Sequence, residues 1–352
     1  MFQGELFLGS ASIYAQVVPR LRYLKSTLIS SDKIRELSPQ LTDIYASLRE
    51  TKYKAVSETK NVQDAEREIM KRFYSAVDEI SRYTPKEAVN LTLAFAREDE
   101  INDSLLILRS MAEDKEVDKS NLTSLIWSQS SLSKILAEPD SLVGIQRYLE
   151  ISSKYKHIYN ALKDAYAYYN ELKDSSVITW YSLSATSNLY YNSFSDLNTI
   201  DKGYVSKTLC PIIEGKIALG LIQASLLKIP IRIIEVSFNK INACNISWNK
   251  ISNIYERESS DPIALATSLR DHFKYVKIEG KKEDEIMNSI RKSSNLSAKR
   301  NSEAVFQSYP FSPSLISAAL ILLKQEVNNI KTIVSSAYLN LNKDEYEQLL
   351  TI

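Results

Sequence analysis

Glycine is scarce. The 352-residue chain holds seven, about 2% where soluble proteins average near 7%. They are scattered, so neither G-x-G-x-x-G nor G-x-x-x-x-G-K-[ST] occurs, and no Gly-rich loop is present to cradle a phosphate. Hairpin turns and bulges also draw on glycine, so this chain is expected to be mostly helix joined by short polar connectors. Cysteine is scarcer still. Cys210 and Cys244 make no C-x-x-C pair and no disulfide framework, and both read as small core residues in a reducing cytosol. The two histidines, His157 and His272, belong to no Glu-x-x-His pair and read as surface or half-buried helix residues. No G-x-S-x-G marks a nucleophile.

Neither sign of charge dominates, with 44 Lys and Arg against 43 Asp and Glu. The runs Lys281-Lys282 and Lys299-Arg300 are too short for a phosphate-binding face, so nothing points to nucleic acid. Long apolar runs are missing too. Residues 312–323 fall short of the roughly 20 needed to cross a bilayer. The stretch from Cys210 to Ile234 is interrupted by Glu214, Lys216, Lys228 and Pro230, and neither stretch is expected to span. The start, MFQGELFLGSASIYAQVV, has no basic n-region and carries Glu5, which argues against a signal peptide.

What the sequence does contain is helical periodicity. In 14–30, Val17, Leu21, Leu24 and Leu28 form one apolar stripe, with Pro19 in the first turn or at a kink. In 66–83 the stripe is Ile69, Phe73, Val77 and Ile80. Residues 146–173 read as one long Tyr-rich helix. In it Tyr155, Tyr159, Tyr166 and Tyr169 pack against the core with their hydroxyls at a wet edge. The expected class is all-α.

A pattern recurs. EINDSLLIL (100–108) and EVNNIKTIV (326–334) share Glu, a branched aliphatic, Asn, then Asn or Asp, and a closing aliphatic pair. EGKIALGLI (214–222) keeps the Glu and the pair but not the Asn features, and the three Glu are 114 and 112 residues apart. A second landmark repeats in LTDIYASLRETKY (41–53) and PIALATSLRDHFKY (262–275), which share Ser-Leu-Arg, an acid, and Lys-Tyr. The helix leads YTPKEAVNLTLAF (83–95) and FSPSLISAALILL (311–323) match in style. Three divergent helical units of about 115 residues follow, at 1–115, 116–228 and 229–352. A solenoid would repeat every 20–50 residues. Glu100, Asp103, Glu214, Glu326 and Asn329 are read as structural, forming hydrogen bonds at helix junctions. The acidic run REDEIND (97–103) puts Asp99 and Asp103 on one face and could suggest a metal pair. A prenyl-transfer helical enzyme would need two such clusters, and the chain has one.

These residues resemble the C subunit of the archaeal and vacuolar-type rotary ATPases, called the d subunit in the eukaryotic enzymes. The likeness begins in YAQVVPRLRYLKSTLIS, with Arg20 and Arg22 as its Arg-x-Arg pair, and runs through LTDIYASLRETKY. It continues in the repeated helix (Glu100, Ile101, Asp103 for Asn, Ile107, Leu108, Arg109; then Glu326, Val327, Asn329, Ile330, Ile333, Val334) and in YPFSPSLISAALILLKQE. The departures are Asp103, the eroded middle copy, Pro19, and Ser335 where an Arg is common. The resemblance implies a pseudo-threefold, funnel-shaped rotor component with no catalysis and no cofactor. It would join a central shaft of the D and F subunits to the proteolipid ring, on the cytoplasmic face of the membrane, and pass torque during proton transport. Arg20, Arg22 and Arg109 are its candidate partner-interface residues, and an internal salt bridge explains each of them equally well. Two other classes stay open on the residues alone: a helical scaffold that binds other proteins, and a helical enzyme.

Overall fold

The computed structural model describes residues 13–37, 40–238, 241, 244, 246–308, 311–342, 346–347 and 349–350. Glu5 and most of the stretch weighed as a signal peptide lie outside the described residues. Among those described there is no β-strand. The α-helices begin with α1 (Val18–Ser26), α2 (Ser31–Glu36) and α3 (Leu41–Leu48), then the longer α4 (Val62–Tyr83) and α5 (Lys86–Ala112). There follow α6 (Ser131–Ala137), α7 (Ile145–Ser152), α8 (Lys156–Leu172), α9 (Ser176–Phe194) and α10 (Thr199–Leu226). The last are α11 (Ile231–Phe238), α12 (Trp248–Glu258), α13 (Pro262–Leu269), α14 (Glu283–Gln307) and α15 (Ser314–Tyr338).

Local chemistry sets these boundaries. The Asn61 side chain caps α4 by accepting from the Asp64 amide at 2.8 Å. Its stripe of Ile69, Phe73, Val77 and Ile80 is buried, and the helix stops at Thr84, held extended by the Pro85 that follows. Pro19 occupies the first turn of α1, where its missing N–H costs nothing. The expected single helix over 146–173 is instead two, α7 and α8. Ser152 Oγ donates to the Tyr148 carbonyl at 2.7 Å and Ser153 Oγ to that of Glu150 at 2.6 Å, local bonds that compete with helix continuation.

The chain forms two compact units. One comprises 1–93, 197–208 and 295–352, the other 94–196 and 209–294, so three of the four boundaries fall within α5, α10 and α14 and one between α9 and α10. In the first unit α15 is the core helix, apolar nearly all round, and α1, α3 and α4 pack on it. In the second, α9 packs between α8 and α11, and α12 against α13.

Two findings depart from the sequence reading. Helix α10 is long and apolar enough to cross a membrane, and 72% of its most apolar window is buried inside the protein, as in a core helix. Pro211 sits within it and leaves the Lys207 carbonyl without its helical donor, and the Asn301 amide fills that role at 2.6 Å. The second departure corrects the view of the cysteines. Cys210 and Cys244 form a disulfide, with Cα atoms 5.4 Å apart. Thirty-four residues separate them in sequence, and folding brings them together.

Candidate functional site: three buried carboxylate joints

A carboxylate away from water must find hydrogen-bond donors or lose its charge. The three recurrent glutamates are 0% (Glu100), 2% (Glu214) and 4% (Glu326) exposed, so each must be satisfied inside the fold.

Glu326, on α15, meets two hydrogen-bond donors and one cation. Tyr53 Oη donates to Oε1 at 2.6 Å, and the Ile29 amide, just before the cap of α2, donates to Oε2. The Arg72 guanidinium on α4 lies 3.5 Å from Oε1 and stacks over the Tyr53 ring. Burial still raises the Glu326 carboxyl above its ordinary value. The same burial, with the Glu326 charge, drives the Tyr53 phenol well up.

Glu100, on α5, grips the start of α6. Its Oε1 accepts from the amides of Ser131 and Leu132 and from Ser130 Oγ, and its Oε2 lies 2.8 Å from His157 Nε2. An anion placed here also meets the positive end of the helix dipole. Glu214, on α10, accepts from the Tyr275 amide at 2.7 Å. Burial pushes its carboxyl up to about 7, against the backbone donors of Tyr275 and Lys274.

These partners share a signature that the sequence reading recovered only in part. The chain contains three Lys-Tyr dipeptides: Lys52-Tyr53, Lys154-Tyr155 and Lys274-Tyr275. Glu326 meets the first through Tyr53, Glu100 meets the second through His157 two residues beyond it, and Glu214 meets the third through the Tyr275 amide. Two landmarks identified separately in the sequence are therefore in contact. The middle Lys-Tyr, His157 and Arg72 were missed; a count of Lys-Tyr dipeptides would have exposed the first of these.

Of the other motif positions, Asp103 is buried and accepts from the Ser124 amide at 2.7 Å. Burial pushes its carboxyl up to about 6. Asn329 is buried on α15. The arginines divide. Arg20 stacks on the Tyr83 ring at 3.3 Å and donates to the Gln16 carbonyl. Arg109 binds Glu113 at 2.7 Å and Thr179 at 2.9 Å. Lys115, Ser175 and Arg109 together hold the Glu113 carboxyl down to about 2. Arg22 is exposed. Among the described residues, no group of three or more His, Cys, Asp or Glu could hold a metal ion. The arrangement offers hydrogen-bonded joints between segments distant in sequence.

The model of one protein family, the ATP synthase (C/AC39) subunit, matches residues 17–349. The chain belongs to that family. It is the family of the A/V-type ATP synthase C subunit, the d subunit in eukaryotes. An all-helical fold agrees with membership. The C/AC39 family supplies a component of a membrane-associated ATPase complex, and that general role extends to this chain. No curated protein matches the sequence.

Proposed function

We propose that this C/AC39-family chain is the non-catalytic rotor adapter of an A/V-type ATPase. It joins a central shaft of the D and F subunits to the proteolipid ring at the cytoplasmic face and transmits torque in proton-coupled ATP synthesis or hydrolysis. Family membership across residues 17–349 is the observation that carries this reading. The three joints support it. Taken as units 1–115, 116–228 and 229–352, each unit's glutamate holds the Lys-Tyr segment of the next, and the last holds that of the first. Along the chain the order of the joints is cyclic. It suits a part whose task is stiffness: a buried carboxylate with several fixed donors has little freedom to shift. Arg20, Arg22 and Arg109 are the candidate shaft contacts: Arg22 is exposed on α1, and Arg20 and Arg109 also engage Tyr83 and Glu113.

The test is a pull-down of the purified full chain with a complex of the D and F subunits, with a urea melt alongside to confirm folding. Stoichiometric one-to-one binding is expected. A folded chain that ignores the shaft and co-sediments with no ATPase sector would overturn the adapter reading in favour of a scaffold for other proteins.

A further inference from the structure

The disulfide uses none of the residues of the three joints. Cys210 is on α10, 5% exposed and one helical turn before Glu214. Cys244 is half-buried, the more exposed residue of the pair. Two aromatic rings flank Cys244 in sequence: Phe238, ending α11, and Trp248, opening α12, stack at 5.5 Å between centroids. Phe238 also packs on α10, where a Cβ added at Gly220 would meet its ring at 3.3 Å. Phe238 and Trp248 are therefore held together, and Phe238 to α10, without help from sulfur. Cys244 itself has φ +61°, the left-handed region that non-glycine residues seldom occupy. Something other than backbone preference keeps it there, and the bond to Cys210 is the covalent candidate.

We infer that Cys210 and Cys244 form a reversible redox couple, a site of exchange with low-molecular-weight thiols that staples the chain after α11 to the middle of α10. A thiolate such as glutathione's attacks the sulfur of Cys244, the more exposed residue of the two, the S–S bond breaks, and Cys210 leaves as a thiolate that takes up a proton. A second glutathione thiolate then attacks the glutathione sulfur of the mixed disulfide and releases Cys244 as its thiol. One protein disulfide and two glutathione thiols thus become one protein dithiol and one glutathione disulfide, and oxidation is the reverse. Reduction reopens a loop of 34 residues and lets Cys244 relax to an ordinary backbone conformation. The inference does not depend on the rotor reading.

The full-length chain is equilibrated in glutathione buffers of graded reduced-to-oxidised ratio, quenched with acid, and its free thiols tagged with a maleimide polymer for a gel-shift readout. The expected result is joint conversion of both cysteines along one curve, the same from either direction. Thermal unfolding followed by tryptophan fluorescence should give a Tm about 5 °C lower for the dithiol. Cys244→Ser should match the reduced protein and ignore reductant. Thiols that stay free at every ratio in a folded chain overturn the inference, and so does a bond that never opens. A reductant-dependent Tm that persists in Cys244→Ser does the same.

Discussion

Replacing Glu100 by alanine should loosen one joint and little else. The carboxylate is fully buried and serves the amides of Ser131 and Leu132, the Ser130 hydroxyl and His157. Alanine leaves two backbone donors and an imidazole without their acceptor. Each buried unsatisfied group costs about 1–3 kcal/mol, and relief from holding a buried charge, plus a water in the space left behind, offset part of the sum. The net loss should be about 3 kcal/mol. Glu100→Gln keeps an acceptor oxygen and should lose only about 1 kcal/mol. The assay is selective by composition. All three tryptophans, Trp127, Trp180 and Trp248, lie in the unit formed by 94–196 and 209–294, so fluorescence in urea follows that unit alone. Its urea midpoint should fall by about 1 M in Glu100→Ala, while the exposed control Glu116→Ala stays within about 0.2 M of wild type. Amide exchange should quicken at Ser131 and Leu132. An unchanged midpoint with wild-type protection at those two amides would refute the reasoning, because it would mean that the carboxylate does not hold the start of α6.

Three further outcomes are expected. The Glu214 carboxyl is raised to about 7 in the fold from an ordinary 4.5, so the native state holds its proton more tightly than the unfolded chain does. Its contribution is complete below about pH 4.5 and is lost as pH rises through 7, on the order of 2 kcal/mol. Glu214→Gln should reduce the slope in urea melts at pH 5 and pH 8, leaving the share of Asp103, which is raised to about 6, and an identical slope would rule Glu214 out as a source. Two glycines should respond oppositely to alanine. At Gly215 a Cβ would sit 2.6 Å from the Ser294 side chain and should destabilise by about 1–3 kcal/mol. At Gly203 it would meet nothing within 4 Å and should stabilise by about 0.5–1 kcal/mol. Calorimetry separates the pair, and equal signs would contradict the packing at α10. Arg22→Glu should weaken shaft binding at least tenfold without lowering Tm, and binding unchanged in the folded variant removes Arg22 from the interface.

The sequence by itself determined the helical class, the stripe of α4, the two places open to Pro19, and the three glutamates on their helices. Each is written in neighbouring residues: spacing of 3.6, a cap, a proline, a recurring short pattern. The two Lys-Tyr landmarks were also visible in the sequence, although nothing local said that they meet the glutamates. Only tertiary structure decided what answers each carboxylate, since the partners stand 31, 61 and 297 residues away along the chain. It decided that Arg20 stacks on Tyr83 and Arg109 pairs with Glu113 while Arg22 stands exposed. It broke the Tyr-rich stretch at Ser152 and Ser153, where side-chain hydroxyls compete with the helix and His157 is delivered to Glu100. It also joined Cys210 to Cys244, which share no spacing motif. Apart from the local hydroxyl bonds at Ser152 and Ser153, these outcomes share one physical reason. Periodicity and capping act within a few residues, whereas a buried polar group takes whichever partner the packed core brings within about 3 Å.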